Sequence, residues 1–148
     1  MWTKDLSIRL SVFFTRFFLV LLGVGILFAP QIVSWCLELT GGRPVFVSRI
    51  CAAFYCCVLP AAVLLVAPDG LLAGISRGEV FTRKNISILR LCSWCCMVVA
   101  GICLGFTVTL LYFLMVATAA AFIGLILRVV KNVFEQALAL KEENDYTI

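Results

Sequence analysis

The sequence contains no histidine and few charged side chains: Asp, Glu, Lys and Arg make up 14% of its 148 residues, against about 25% in a typical soluble domain. The lack of charge removes the polar coat that a water-soluble surface needs, and the mean hydropathy is high at +1.13. The run 91–127 has no charged residue and is almost entirely apolar. These absences exclude a soluble globular domain and predict a membrane protein.

Residues that most chemistry would need are missing too. Without histidine the chain lacks the usual proton shuttle and the commonest metal ligand. No ionisable residue falls in the middle of an apolar run, whereas transporters and proton-coupled pumps usually place one at mid-membrane. The sequence also has no nucleophile paired with a base and no glycine-rich phosphate loop. We therefore expect a protein that is not an enzyme, with no catalytic residue, cofactor or metal site.

The apolar runs predict four membrane-spanning helices, because one span needs about 20 such residues. The first run follows Lys4, Arg9 and Arg16 and is longer than the apolar core of a signal peptide, so we expect it to be retained as a span. The run 91–127 has the length of two short spans. The spans are expected at about 14–37, 50–68, 88–107 and 110–130, in one domain that covers 1–148.

Two breaks between apolar segments are less clearly marked. Pro68-Asp69-Gly70 is typical of a helix end or turn, so the second span is expected to stop there. The run shared by spans three and four has no Gly-Pro signal. We place its turn near Thr107-Val108-Thr109, with Tyr112 as an interfacial anchor.

The distribution of Lys and Arg predicts the orientation. Ten of the twelve lie before the first span, between spans two and three, or after the fourth, and only Arg43 and Arg49 lie between spans one and two. Because cytoplasmic loops carry the excess of Lys and Arg, both termini and the middle loop, 76–87, are expected in the cytoplasm. The predicted fold is an all-α polytopic membrane protein.

The fourth helix is expected to extend beyond the membrane. Val130, Val133, Phe134, Ala137 and Leu138 recur at the spacing of one helical face, and polar residues lie on the other side. We predict an amphipathic cytoplasmic stalk that ends in the tail, within 131–148.

Eight cysteines are present, nearly all inside apolar runs. An even count would indicate a disulfide framework in a small secreted protein, but that interpretation fails here. Cys92 and Cys95 have the CxxC spacing of a redox or metal pair, yet there is no second pair and zinc needs about four ligands. A redox or metal role and a disulfide between Cys36 and Cys51 stay open as minor alternatives.

Small residues at spacing four favour helix packing instead, because they let membrane helices approach closely. Cysteine acts as a small apolar residue in this pattern. The candidate packing residues are Cys92, Cys96, Gly101, Gly105, Ala120 and Gly124.

The middle loop has the features of a well-made helix start. Thr82 is a good N-cap for a helix that begins at Arg83, with Phe81 and Ile86 at the positions of a hydrophobic staple. Gly78 permits a tight turn. The tail acids Glu142, Glu143 and Asp145 either pair with Arg77, Arg83 or Lys84 or stay solvated, since exposed pairs contribute only about 0–1 kcal/mol.

The middle loop and the tail resemble the two signature segments of the bacterial domain-of-unknown-function family 2975. The loop fits a Gly-x-x-Phe-Thr-x-x-Asn pattern and the tail fits Leu-Lys-Glu-Glu-Asn-Asp-x-Thr-Ile. The departures are the richness in cysteine and the very short turn between spans three and four. The matching residues are Gly78, Phe81, Thr82 and Asn85, followed by Leu89-Arg90, and then Leu140 through Asp145, Thr147 and Ile148.

The resemblance implies four spans and no known enzyme activity. Genes of the family often lie beside genes for small helix-turn-helix regulators. The resemblance therefore suggests a membrane partner of a DNA-binding protein, in the bacterial cytoplasmic membrane. The chain has no recognition helix of its own, so we expect no direct contact with nucleic acid.

Two functional hypotheses follow. The first is a regulatory or sensory membrane protein that docks a soluble cytoplasmic partner. The second is a transporter or channel component, or a packing subunit of a larger complex, with a homo-oligomer packed through the Gly101–Gly105 face. The candidate docking residues are Gly78, Phe81, Thr82, Arg83, Lys84, Asn85, Glu142, Glu143 and Asn144.

Overall fold

The computed structural model describes residues 4–39, 41–76, 81–107 and 111–146, and within these residues it contains four α-helices. Each helix is long and apolar enough to cross a membrane, so the prediction of an all-α protein with four such helices is confirmed. The helices are α1 (Lys4–Leu39), α2 (Val45–Ser76), α3 (Arg83–Phe106) and α4 (Tyr112–Tyr146).

The helices pack in an open row. Within the described residues α1 contacts only α2, α2 contacts α1 and α3, and α4 contacts only α3. Burial depends on the position of a helix in the row. In α3, which has a neighbour on each side, 39% of the apolar segment is buried, against 6% in α1 at the end of the row. A row of this kind leaves the outer faces of α1 and α4 to lipid, as the apolar composition of the chain requires.

The contact between α1 and α2 includes one hydrogen bond with a local cause. Pro30 lies inside α1 and has no N–H, so the carbonyl of Ile26, four residues earlier, loses its helical donor. The Tyr55 hydroxyl on α2 donates to that carbonyl at 3.0 Å. Because an unsatisfied carbonyl in lipid costs several kcal/mol, this bond both repairs α1 and joins it to α2.

The predicted break at Pro68-Asp69-Gly70 is wrong, because α2 runs without interruption to Ser76. Pro68 deprives a single carbonyl of its donor, and a helical glycine costs only about 1 kcal/mol. Ending the helix would expose several backbone groups at once. Close packing against α3 also holds this part of α2, since a Cβ added at Gly70 would lie 3.1 Å from the Ile88 side chain.

The ends of the other helices agree with local chain chemistry. Beyond α1, Gly41 has a φ of +66°, and the N–H of Gly42 donates to the carbonyl of Leu37 at 2.8 Å, which is a Schellman motif. At the other turn, α3 ends at Phe106 and α4 begins at the exposed Tyr112. Of the predicted turn, Thr107 caps α3, while 108–109 lie outside the described residues.

Candidate interaction surface at one end of α3 and α4

The start of α3 is fixed by a side-chain cap. Thr82 has an extended backbone, and its hydroxyl oxygen accepts a hydrogen bond from the Asn85 N–H at 3.3 Å. The N-cap predicted from the sequence is therefore confirmed. The Asn85 side chain is only 1% exposed, whereas Lys84 is exposed. Asn85 was a candidate docking residue, but its burial makes it part of the interior, where a partner could not reach it.

The aromatic ring of Phe81 ties the segment before α3 to α4. Its centroid lies 5.2 Å from that of Phe134, with the planes at 61°. Edge-to-face pairs of this kind contribute about 0.5–1.5 kcal/mol beyond their buried area. Phe81 remains 40% exposed, so part of the ring is open to contact.

Ion pairs continue the connection between the two helices. Arg83 Nη2 lies 3.2 Å from Glu142 Oε1, and Arg90 Nη2 lies 3.0 Å from Glu135 Oε1. The residue numbers of the paired side chains rise along α3 from 83 to 90 and fall along α4 from 142 to 135, so the two helices are antiparallel. The pairing of Arg83 with Glu142 is one of the alternatives that the sequence left open.

Glu135 also accepts a hydrogen bond from Lys131, whose Nζ lies 3.0 Å from its other oxygen. The hydrogen bond from Lys131, with that from Arg90, lowers the pKa of the Glu135 carboxyl below its usual value. Glu135 lies on α4 beyond the charge-free part of that helix. Glu135 does not belong to the apolar stripe of α4, yet its carboxylate reaches Arg90 on α3, because a long side chain at the border of a stripe can extend sideways.

These residues enclose an open cavity of about 360 Å³ between α3 and α4, which we call the α3–α4 groove. Arginine and glutamate side chains form its rim, and aliphatic side chains form its floor. The lining residues are Arg83, Ile86, Ser87, Arg90, Glu135, Leu138, Ala139 and Glu142.

Two other candidate docking residues follow Glu142 directly on α4. Glu143 and Asn144 are exposed in the last turns of α4, and Gly78 lies outside the described residues. The sequence reasoning named Arg83 and Glu142 but missed the contribution of Ser87, Arg90 and Ala139. A helical projection of α3 against α4 could have found them, but only with the register between the helices known.

Gly124 lies at a close approach of α3 and α4. A Cβ added there would lie 3.1 Å from Cys96 Cβ and 3.4 Å from the Ser93 carbonyl oxygen. The buried Ser93 hydroxyl donates to the Gly124 carbonyl at 2.8 Å. Cys92 is buried as well, and Ala120 is half-buried. These small residues let the backbones come together, and a hydrogen bond then joins them.

Gly101 and Gly105 are placed differently from Gly124. Both are exposed, and no side chain or neighbouring helix lies within 4 Å of a Cβ built at either position. They therefore do not pack against another helix of this chain.

None of the eight cysteines forms a disulfide, and Cys36 is exposed while Cys51 is buried. The Cys57 and Cys103 thiols lie near each other at the contact between α2 and α3. Within the described residues no three His, Cys, Asp or Glu side chains come together as a metal site would require.

Comparison with known proteins gives one match. The family described as "Protein of unknown function (DUF2975)" matches residues 8–148, nearly the whole chain. No curated protein and no solved structure matches it.

Proposed function

This chain belongs to the DUF2975 family, and on that premise we propose that it is a membrane-embedded regulatory protein whose α3–α4 groove docks a soluble cytoplasmic partner. The observation that carries the proposal is the meeting of the two polar segments. Arg83 and Glu142 are 59 positions apart in the chain and hydrogen-bond at 3.2 Å. The loop and the tail thus form one surface at one end of the molecule.

The chemistry of that surface suits a reversible interface. Its rim carries both signs of charge, and its floor is aliphatic, in keeping with non-obligate interfaces that combine an apolar centre with a polar rim. The exposed part of Phe81 adds an aromatic contact next to the groove, and aromatic residues are enriched at binding hot spots.

The orientation is part of the proposal. Ten of the twelve Lys and Arg residues flank the groove end of the helices or the N-terminus, which favours the cytoplasm for both termini and for the groove. The portion of α4 beyond Arg128 then forms an amphipathic cytoplasmic stalk. We place the protein in the bacterial cytoplasmic membrane, as the family resemblance implies.

We propose a small helix-turn-helix regulator as the partner, because genes of that class often lie beside genes of this family. The membrane protein would bind the regulator and not the DNA. The proposed role is binding and not catalysis. Transport is less well supported. The cavity of about 530 Å³ between α1 and α2 has an entirely apolar lining, and the described part of the chain forms an open row of helices that encloses no polar pathway.

Co-purification of the regulator with the full-length, tagged protein from detergent-solubilised native membranes tests the proposal. R83E should reduce recovery several-fold. The double variant R83E/E142R restores the ion pair with its charges exchanged, so it separates docking from simple stability. If a partner binds these side chains directly, recovery of the regulator stays low in the double variant.

The matched control is R43E, which changes an exposed arginine in the loop between α1 and α2, at the other end of these helices. Its recovery should equal that of the unaltered protein. Full recovery of the regulator with R83E, or full restoration in the double variant, would show that the groove residues serve stability alone.

A further inference from the structure

Three basic residues lie where the charge-free parts of α3 and α4 end. No charged residue occurs in α3 after Arg90 or in α4 before Arg128. Each charge-free segment, 91–106 and 112–127, is about 24 Å long at 1.5 Å per residue, close to the thickness of a hydrocarbon core. Arg90, Arg128 and Lys131 therefore lie at the level of the lipid headgroups.

These residues surround a small cavity of about 100 Å³, which we call the basic cavity. The Arg128 guanidinium carbon lies 5.8 Å from the centroid of the Trp94 ring, and tryptophan favours the headgroup level. The contact of Ser93 with Gly124 holds the two walls together. The basic cavity is lined by Arg90, Ser93, Trp94, Arg128 and Lys131.

The charges around the basic cavity do not balance. Glu135 is shared between Arg90 and Lys131, and no carboxylate of the described residues lies within ion-pair distance of Arg128. The Lys131 side chain is only 16% exposed, so its ammonium group is held against the protein. A guanidinium group can bind a phosphate through two parallel hydrogen bonds.

An apolar groove continues from the basic cavity along the same face of the two helices, and we call it the acyl groove. On α3, Trp94, Met97, Gly101 and Leu104 recur at intervals of three and four. On α4, Arg128, Ala121 and Thr118 are seven and three positions apart, so each set shares one helical face. The open space at Gly101 gives the acyl groove its depth. Its volume is about 410 Å³, and it is lined by Met97, Gly101, Leu104, Ala117, Thr118 and Ala121, among others.

We propose that this face binds one anionic phospholipid, with the phosphate in the basic cavity and an acyl chain in the acyl groove. Basic pockets between membrane helices recognise anionic headgroups, and the acyl groove favours a lipid over free phosphate. The exposed glycine at 101 then serves a ligand and not another helix. Arg90 lines both the α3–α4 groove and the basic cavity, but Arg128 lines only the basic cavity, so variants of Arg128 test this site separately from partner docking.

Native mass spectrometry of the full-length protein in detergent tests the proposal, with dioleoyl phosphatidylglycerol and dioleoyl phosphatidylcholine as probes. The phosphatidylglycerol should be retained preferentially. R128Q should weaken its binding about fivefold, the effect of one interfacial cation. R43Q removes an exposed arginine at the opposite end of the helices and should change nothing.

A second variant tests the acyl groove. G101L adds a side chain where nothing lies within 4 Å, so the helix tolerates it while the acyl groove is filled, and binding of both lipids should fall. Thermal melting of each variant checks that it is folded. R128K keeps the positive charge but loses the two-pronged guanidinium group, so its affinity for phosphatidylglycerol should lie between that of R128Q and that of the unaltered protein.

Equal retention of the two lipids, or an equal loss of phosphatidylglycerol binding in R128Q and R43Q, would mean that only diffuse surface charge attracts the lipid. Either result would contradict the proposed site. Displacement of the lipid by millimolar inorganic phosphate, with G101L binding normally, would overturn the lipid as the occupant and leave a phosphate site.

Discussion

The two halves of the row are held together by different interactions. Between α1 and α2, apolar side chains pack around a cavity of about 530 Å³. The Tyr55 hydroxyl also donates a hydrogen bond to the Ile26 carbonyl. Between α3 and α4 the structure has ion pairs, an aromatic pair and the contact of Ser93 with Gly124. Apolar packing gives little preference for one register in lipid, whereas directional contacts and small residues fix one. We therefore expect α3 and α4 to form the rigid unit of the protein.

The largest effect is expected at Gly124, where α3 and α4 pack closely. G124L places a side chain where a Cβ alone would lie 3.1 Å from Cys96 Cβ, and overpacking of this kind costs about 1–3 kcal/mol. Thermal unfolding in detergent, followed by circular dichroism, should show a marked loss.

The matched control is G23L in α1, where no heavy atom lies within 4 Å, and it should melt close to the unaltered protein. Equal melting of G124L and G23L would remove the distinction between the two halves.

The next largest effect concerns the hydrogen bond from Tyr55 to the Ile26 carbonyl, which joins the helices of the first half. Y55F leaves the Ile26 carbonyl without a donor, because Pro30 supplies none, and should cost about 1–2 kcal/mol. S93A also removes an interhelical bond, but the Gly124 carbonyl keeps its helical donor, so the cost should be near the average of about 0.6 kcal/mol.

A double-mutant cycle sharpens this test. P30A restores an N–H that can serve Ile26, so Y55F should cost much less in the P30A background than alone. An unchanged cost in that background would show that Tyr55 acts through packing and not through the carbonyl.

A smaller effect is expected at the cap of α3. T82A removes the acceptor for the Asn85 N–H and should lower stability by about 1 kcal/mol or less. T82S retains the hydroxyl and should restore most of the loss in the same melting assay. The control is S48A, which changes an exposed serine in the first turn of α2. If S48A lowers the melting temperature as much as T82A does, a capping role for Thr82 is contradicted.

The smallest effect is a pH dependence at Glu135. Since its pKa is lowered in the folded protein, its contribution to stability is present above the ordinary pKa and is lost as the pH falls through the lowered value. The difference in melting temperature between the unaltered protein and E135Q should therefore shrink towards pH 3. A difference that stays constant from pH 7 to pH 3 would contradict the assignment.

Much of the fold could be predicted because the signals lie along the chain. The lengths of the apolar runs gave four helices, and the order Phe81-Thr82-Arg83 gave the start of α3. The break predicted at Pro68 failed because continuous backbone hydrogen bonding outweighs the local preference of three residues. The ending of α1 at Gly41-Gly42 also follows from local sequence, because glycine after a helix favours the left-handed conformation of a Schellman motif.

The candidate surface was predictable only in part. Arg83 and Glu142 were named, but their pairing was one alternative among several. Burial of Asn85 could not be read from a motif in which its neighbours Arg83 and Lys84 are exposed. The three glycines of the packing pattern look alike in sequence, yet Gly124 packs and Gly101 does not, since spacing says nothing about which face meets a neighbour.

The sequence by itself determined that this is a chain of four apolar helices, because transfer into lipid and helix capping depend on residues that are close together in the chain. Only the tertiary structure decided that the helices form an open row, that loop and tail meet at one groove, and that a basic cavity opens below an apolar one. Those features depend on the register between antiparallel helices, which is set by a few contacts between residues far apart in the sequence.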